Sequence, residues 1–206
     1  MVRRSRLWPA APAALLALAL ALAGCAELPA SRGDATQDPR WQARSAQLAK
    51  LRDWQLDARI GVNRDRQAWS ASLKWQQHGP RYEIDLLGPF GAGRVRVEGD
   101  AAGVVLLRGD DEPPVSARDP DELFERATGI AVPAGALGDW LFGRPQPGVA
   151  AQVEADAEGR TTRIVQAGWT IEYPAWQPVG ALELPAKLRA VRGDVQVRLA
   201  VERWGL

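Results

Sequence analysis

The chain has 206 residues, of which 46% are hydrophobic, and this is enough for one well-filled core and one domain. Lys and Arg (26 residues) balance Asp and Glu (25 residues), and no block of like charges suggests a nucleic-acid surface. A single cysteine excludes an intramolecular disulfide.

The first 24 residues have the pattern of an export signal peptide. Arginines within the first six residues precede an apolar run of about 18 residues, from Leu7 to Gly24. On length alone, an uncleaved signal anchor is the alternative. The run ends in LAGC, which resembles the bacterial lipobox, and this resemblance implies cleavage before Cys25 and lipid attachment to it.

Residues 25–37 are predicted to be the lipidated cysteine and a flexible tether, because the segment LPASRGDATQ is small, polar and contains Pro and Gly. Ala26 follows the cysteine. By resemblance to lipoprotein sorting rules, alanine in place of aspartate there implies release to the outer membrane. We expect the folded domain to span residues 38–206.

The domain opens with a predicted helix. Asp38-Pro39 supplies an N-cap and a first-position proline, and the helical spacing continues to about Arg52. Alternating apolar and polar residues then predict strands around residues 56–63, 69–76, 81–86 and 94–98, joined by short Gly- and Pro-containing turns. This pattern is typical of an antiparallel meander, and Val104 to Leu107 predicts one more strand.

Two short helices are predicted in the middle of the chain. The first opens at Asp119-Pro120 and stops at Gly129, and the second ends near Gly143. Apolar and polar residues then alternate again around residues 153, 164, 169–173 and 195–201, which predicts further strands. The order of these elements, with strands before and after the two helices, predicts a mainly β fold. We expect one curved antiparallel sheet, with helices that cover one face or mouth.

The residue inventory argues against catalytic chemistry. His78 is the only histidine and lies in a predicted turn. If the lipobox prediction holds, the thiol of Cys25 is lipidated and is not free for catalysis or metal binding. We therefore expect no enzyme, no catalytic residue, no metal and no cofactor.

The inward strand faces are rich in aromatic residues, including Trp69, Trp75 and Trp169. Two interpretations remain open on patterning alone. One is the aromatic core of a small packed barrel, and the other is a wider barrel whose lining holds an apolar ligand.

Several stretches, in order, resemble the LolB family of outer-membrane lipoprotein receptors. They are the LAGC lipobox, LKWQQ (73–77), RYEIDLLGPFG (81–91), LGDWLFGRP (137–145), QAGWTIEYP (166–174), LPAKL (184–188) and the closing VERW. The resemblance implies a half-open curved antiparallel β-barrel, with short helices that form a lid over a hydrophobic cavity. It also implies an outer-membrane location facing the periplasm.

The resemblance implies partners as well. These are a LolA-type periplasmic carrier, the acyl chains of the lipoprotein cargo and the inner leaflet of the outer membrane. We expect a monomer without nucleic acid. The competing hypothesis is a structural or assembly lipoprotein with a filled barrel that binds a protein partner.

Within the implied fold, the inward positions are assigned to the cavity and the helices to the lid. The predicted lining is Trp69, Leu73, Trp75, Tyr82, Ile84, Leu86, Val95, Val97, Trp169, Ile171, Tyr173, Val197 and Leu199. The predicted lid residues are Leu123, Phe124, Trp140 and Leu141.

Phe90 is the largest apolar side chain in the turn Gly88 to Gly93. LolB-like proteins carry an exposed apolar residue in the corresponding loop, usually leucine, which contacts the membrane. The resemblance therefore implies a membrane-inserting role for Phe90. The alternative is that Phe90 folds back onto the barrel rim.

Overall fold

The computed structural model describes residues 34–89, 93–109, 112–128 and 133–206. Residues Gly33–Leu206 form one compact unit. All the core contacts described below lie within residues 34–206. The domain therefore holds its own hydrophobic core.

The described part contains eleven strands, three α-helices and one short 3₁₀ helix (Ala35–Gln37). The helices are α1 (Pro39–Leu48), α2 (Pro120–Thr128) and α3 (Ala134–Leu141). The strands are β1 (Asp53–Arg64), β2 (Gln67–His78), β3 (Arg81–Leu87), β4 (Arg94–Asp100), β5 (Gly103–Arg108), β6 (Val115–Ala117), β7 (Ala151–Ala155), β8 (Thr161–Gln166), β9 (Trp169–Val179), β10 (Leu182–Arg192) and β11 (Val195–Gly205).

The described part of the chain includes the last four residues of the predicted tether. Asp34 caps the 3₁₀ helix by accepting a hydrogen bond from the backbone N–H of Thr36 at 3.1 Å. This bond, with a further one from Val153, holds the pKa of Asp34 below its usual value despite some burial. Ala35 is buried in the core. Residues 34–37 are therefore packed against the domain, because an apolar side chain fixes this segment.

All strands belong to one antiparallel sheet in the order β6-β5-β4-β3-β2-β1-β11-β10-β9-β8-β7. The first and last strands of the sequence pair at its centre, where Ile60 lies opposite Leu199. In the part of the chain that the structure describes, β6 and β7 are the two edges. The predicted fold class, a mainly β, unclosed curved antiparallel sheet with short helices, is confirmed.

The register defines two ends of the sheet. Arg64 pairs with both Gln67 and Val195, so the β1–β2 and β10–β11 turns meet at one end, which we call the Asp65 end. Asp53 pairs with His78, so the β2–β3 turn lies at the opposite end, which we call the His78 end. The β3–β4 loop lies on the side of the Asp65 end, because β3 runs towards it.

The inner face of the sheet packs against the helices through two core clusters. One contains Trp54, Trp75, Phe142 and Trp204, and the other contains Trp41, Trp140, Trp169 and Tyr173. Three partly buried residues pack against both clusters and join them: Ile60, Leu137 and Leu188.

The outer face carries charges that pair between neighbouring strands. The pairs include Asp57 with Arg203, Glu172 with Arg189, and Glu154 with Arg163. Such cross-strand pairs identify the water-facing side of the sheet. Among the described residues, no helix is long and apolar enough to span a membrane.

Candidate functional site: an aromatic-walled cleft and an open strip

A cleft of about 410 Å³ opens near the His78 end, between the C-terminal end of α1, the β2–β3 hairpin and α3. The larger apolar side chains of its lining are Leu48, Leu51, Trp54, Trp75, Tyr82, Ile84, Leu137 and Phe142. Arg52, Gln77, Asp139 and Arg144 supply charged or amide side chains. The accessible surface of the cleft is more polar than apolar, so the cleft is a mixed hollow with aromatic side chains in one wall.

Aromatic rings form the wall of the cleft. The ring centroid of Trp54 lies 5.4 Å from that of Trp75 and 5.2 Å from that of Phe142, in tilted and edge-on arrangements. The indole N–H of Trp75 donates to Gln77 Oε1 at 3.1 Å, and Gln77 in turn donates to the carbonyl of Gly79 at 2.8 Å. Because this N–H is satisfied within the protein, the Trp75 ring presents only its apolar surface to a ligand.

Asp139 and Arg144 form an ion pair beside the cleft, with 3.1 Å between Oδ1 and a guanidinium nitrogen. Burial raises the pKa of Asp139, and the charge of Arg144 opposes this effect. The two charges therefore neutralise each other in the cleft wall.

The C-terminal end of α3 is fixed to β8 and β9. The indole N–H of Trp140 donates to Gln166 Oε1 at 2.8 Å, and the hydroxyl of Tyr173 donates to the carbonyl of Trp140 at 2.7 Å. Thr161 donates to the carbonyl of Gly143 at 2.6 Å. Tyr173 is fully enclosed, and burial raises its pKa well above the usual value. This end of α3 cannot lift without breaking buried hydrogen bonds.

A second apolar surface lies on the inner face, where the helices cover the sheet incompletely. Its residues are spread over six neighbouring strands, from β4 to β10, and at different heights along them, because Leu86 lies opposite Leu73 and Trp69 lies opposite Val62. Its residues are Val95, Leu86, Trp69, Ile60, Val197 and Leu188. Five of them are half-buried, while Trp69 is 45% exposed. We call these six residues the open strip.

Comparison with known proteins places the domain in a family. The family model described as "Outer membrane lipoprotein LolB" matches residues 52–204. The chain belongs to the LolB family.

Relatives in this family match over nearly the whole chain. The outer-membrane lipoprotein LolB of Halorhodospira halophila is 39% identical over 193 residues, which are 93% of each chain. That of Alkalilimnicola ehrlichii is 38% identical over 210 residues, covering 100% of this chain and 99% of the relative. The predicted family and the outer-membrane, lipid-anchored location are confirmed.

Solved structures support the fold alone. A LolA superfamily protein from Nitrosomonas europaea superposes with a TM-score of 0.54 at 10% identity, covering 80% of this chain and 92% of that one. A DUF1329 family protein from Desulfovibrio piger also gives 0.54, at 8% identity, covering 84% and 92%. The fold of this chain is therefore similar to the folds of these two proteins.

Most of the predicted lining residues lie in the packed clusters of the inner face. Eight are buried there: Leu73, Trp75, Ile84, Val97, Trp169, Ile171, Tyr173 and Leu199. Tyr82, Leu86, Val95 and Val197 are partly covered. Trp69 differs most from the expectation of an enclosed residue, because β2 extends beyond the part of the sheet that the helices cover. The lining role of these residues stays a prediction.

Of the predicted lid residues, Trp140 and Leu141 are buried in α3, and Leu123 is buried in α2. Phe124 belongs to α2, but its side chain lies outside the described part, as do Cys25 and Phe90. The described residues contain no group of three or more side chains suited to a metal ion.

The sequence analysis missed several residues of the site. Trp54 precedes the first alternating position of β1, and Phe142 follows the last turn of α3. The helical spacing places Leu137 on the apolar side of α3 with Trp140 and Leu141, but Leu137 is not among the predicted lid residues. Ile60 and Leu188 lie on inward positions, and only the incomplete cover of the helices distinguishes them from core residues.

Proposed function

We propose that this LolB-family chain is an outer-membrane receptor for lipoproteins. It accepts acylated lipoproteins from a LolA-type carrier on the apolar inner face of its sheet and inserts them into the inner leaflet of the outer membrane. The observation that carries this proposal is the apolar inner face of an unclosed sheet, with a cleft beneath α3 and an open strip beside it.

The cost of exposing acyl chains explains why such a receptor is needed. Three chains of about 15 carbons, at roughly 0.8 kcal/mol for each CH₂ group, would cost on the order of 36 kcal/mol to leave in water. Transfer must therefore run from cavity to cavity and then from cavity to bilayer. The receptor has to hold the chains more tightly than the carrier and less tightly than the membrane, and this step requires neither a nucleotide nor a metal.

The dimensions of the site suggest how the chains are held. A volume of 410 Å³ lies near the lower end of the range for small-ligand sites, about 300–1,000 Å³. A triacylated anchor is larger than such a ligand. The open strip adds apolar surface along the sheet, so the chains extend from the cleft across Ile60 and Leu188, two of the three residues that pack against both clusters.

The second candidate function is a structural or assembly lipoprotein that binds a protein partner. The dense packing of the two clusters favours it, because eight of the predicted lining residues are buried among other side chains. The two functions differ in whether cargo acyl chains enter the domain.

Native mass spectrometry of the domain from Ala26 to Leu206, mixed with a LolA-type carrier loaded with a lipoprotein, tests the proposal. Cargo recovered on the domain supports the receptor function. Cargo that stays wholly on the carrier, with the domain well folded, favours the structural lipoprotein.

A cleft-filling variant makes the test specific to the site. Leu137→Trp places a larger side chain in the cleft, and we expect it to reduce cargo acceptance. Val115→Trp is the matched control, because Val115 is 39% exposed on β6 and does not line the cleft. Equal acceptance by the two variants would place the acyl chains elsewhere.

A further inference from the structure

The outer face of the sheet contains a shallow trough of about 480 Å³ across its central strands. Its floor includes Gly61 of β1 and Ala200 of β11. The space above Gly61 is open, because a Cβ atom at that position would have nothing within 4 Å. Four basic side chains surround this floor: Arg59, Lys187, Arg189 and Arg198. We call these six residues the basic trough.

The strand register places three of the basic residues around one point. Ala200 pairs with Arg59 on one side and with Lys187 on the other, so these two cations lie in one row, on strands about 10 Å apart. Arg198 precedes Ala200 by two positions on β11 and therefore lies on the same face of the sheet. Because Ala200 carries only a methyl group, the space above it is left to the three longer cationic side chains.

Two of the four cations have no carboxylate partner in the part of the chain that the structure describes. They are Lys187 and Arg198, and both are exposed on the outer face. Arg198 also lies directly opposite Arg189 on β10. Like charges that face each other across a strand pair destabilise a sheet. The fold therefore gains nothing from charge at these positions, whereas a negatively charged ligand would be attracted to it.

The surroundings of the trough favour a narrow acidic ligand over a broad anionic surface. Arg59 pairs with Glu202 on β11, and Arg189 pairs with Glu172 on β9, each at 3.0 Å. These carboxylates limit the positive region to a band and would repel a flat anionic surface. None of the six trough residues is a large apolar side chain that could enter a bilayer. The exposed ring of Pro174 and the aliphatic parts of the basic side chains offer apolar contacts to a polypeptide.

We propose that the basic trough docks an extended acidic segment of a partner protein, with its carboxylates held above Ala200 by Lys187 and Arg198. An extended chain places every second side chain on the same side, about 7 Å apart, which is also the spacing of Arg198 and Ala200 along β11. The proposal goes beyond the proposed function, because the trough lies on the opposite face of the sheet from the cleft and the open strip. The partner therefore binds while cargo occupies the inner face.

Peptide binding tests the site with a defined probe. A fluorescein-labelled peptide of alternating glutamate and alanine is titrated with the domain from Ala26 to Leu206, and fluorescence anisotropy gives the dissociation constant. A peptide with glutamine in place of glutamate is the uncharged control. We expect only the glutamate peptide to bind, with an affinity that falls as salt is added, because salt screens exposed charges. A parent domain that binds both peptides equally, or neither, overturns the proposal.

Removal of the two unpaired cations identifies the site. The double variant Lys187→Gln, Arg198→Gln should weaken binding of the glutamate peptide roughly tenfold, because two exposed charge contacts are lost. The matched control is Arg66→Gln, Arg81→Gln, which removes the same net charge from two exposed arginines outside the trough. Equal affinities of the two double variants would place the peptide elsewhere and contradict the proposal.

A carboxylate supplied by the chain itself provides a second test at the same point. Ala200→Glu places an acidic side chain between the cations, and Ala200→Gln is the uncharged control of equal size. We expect Ala200→Glu to lose peptide binding and to unfold at a higher urea concentration than Ala200→Gln, because it gives the cations an opposite charge. Equal unfolding midpoints would show that the cations do not converge on this position, and the proposal would be wrong.

The carrier experiment separates this proposal from the proposed function. The Lys187→Gln, Arg198→Gln domain should accept cargo from the carrier as the parent domain does. Loss of acceptance by this variant, if it is folded, would make the trough part of cargo transfer and overturn the proposal. A parent domain that takes no cargo contradicts only the proposed function, while the peptide data still decide the role of the trough.

Vesicles of phosphatidylglycerol distinguish an acidic polypeptide from a lipid surface. The parent domain and the Lys187→Gln, Arg198→Gln variant should show the same bound fraction in a flotation assay. A variant that loses vesicle binding but keeps its affinity for the glutamate peptide would assign these cations to lipid phosphates, against the proposal.

Discussion

The ring of Tyr82 on β3 lies directly over Gly99 on β4. A Cβ atom at position 99 would stand 2.2 Å from Cζ of Tyr82, far inside van der Waals contact. Gly99 is opposite Tyr82 in the strand register, and its missing side chain lets the ring lie flat beside the cleft. Burial, with a smaller effect of Asp100, raises the pKa of Tyr82.

We expect Gly99→Ala to displace the Tyr82 ring and to lower the free energy of unfolding by about 1–3 kcal/mol, the usual cost of overpacking. Gly61→Ala is the matched control in a strand interior, because nothing lies within 4 Å of its Cβ position. We expect it to be neutral or stabilising. Urea unfolding of both variants measures the difference. Similar midpoints for the two would show that the Tyr82 ring moves away without cost.

Gln166 holds α3 and the segment before β7 to the sheet. Its oxygen accepts from Trp140 Nε1 and from the backbone N–H of Gln146, and its nitrogen donates to the carbonyls of Gln146 and Val149. Gln166→Met keeps the length of the side chain but leaves these buried groups without partners. We expect a loss of at least the ~1–3 kcal/mol of one unsatisfied group.

A double-mutant cycle with Trp140→Phe, which removes the donor, isolates the Trp140–Gln166 bond. Thermal or urea unfolding gives the four free energies. Strictly additive effects would mean that this hydrogen bond does not couple α3 to β8.

Asp85 on the outer face gives the domain a defined pH dependence. Burial acts to raise its pKa, but hydrogen bonds from Arg94 at 2.9 Å and from Arg96 at 3.1 and 3.2 Å outweigh this, so the pKa lies below 3.8. A carboxyl group whose pKa is lowered by folding stabilises the folded state at pH values above its pKa in the unfolded chain. This stability is lost as the pH falls through its pKa in the folded protein.

We therefore expect Asp85→Asn to lower the free energy of unfolding by about 1 kcal/mol at pH 7 and to match the parent domain in strong acid. Glu98→Gln is the control, because this exposed carboxylate lies 3.7 Å from Arg96. Urea unfolding between pH 7 and pH 2 measures both. A constant difference at every pH would rule out the ion pairs as its cause.

Phe90 is expected to act at the membrane step. Phe90→Glu puts a charge where the resemblance to the LolB family implies an apolar membrane contact. We expect carrier-to-receptor transfer to remain and delivery from receptor to vesicle to fail. Phe90→Leu should retain both steps. Recovery of labelled lipoprotein in floated vesicles provides the measurement, and a Phe90→Glu variant that already fails at transfer would contradict this division of roles.

Cys25 is expected to serve only as the anchor. A domain that begins at Ala26 should accept cargo from the carrier as well as the lipidated protein does, because it keeps the whole compact unit Gly33–Leu206 with its two core clusters. Side-by-side native mass spectrometry of both forms checks this. Loss of acceptance without the lipid would show that the anchor takes part in transfer.

Much of the fold could be predicted from local patterns. The two-residue period of residues 56–62 and 69–76 predicted β1 and β2, because successive side chains of a strand alternate between faces. Asp38-Pro39 predicted the start of α1, where the Asp38 side chain accepts from the backbone N–H of Arg40 at 2.8 Å. The central pairing of β1 with β11 had no local signal, because it joins residues far apart in the chain.

The sequence alone determined the family, the mainly β class and the face of each strand on which an apolar residue lies. Only the tertiary structure decided how well each of these residues is covered. Trp69 and Trp75 share one face of β2, yet Trp69 is 45% exposed and Trp75 is 7% exposed. Strand periodicity fixes the direction of a side chain, whereas its burial depends on which helices pack over it. α1 and α3 cover Trp75 at the His78 end and leave Trp69 open at the other.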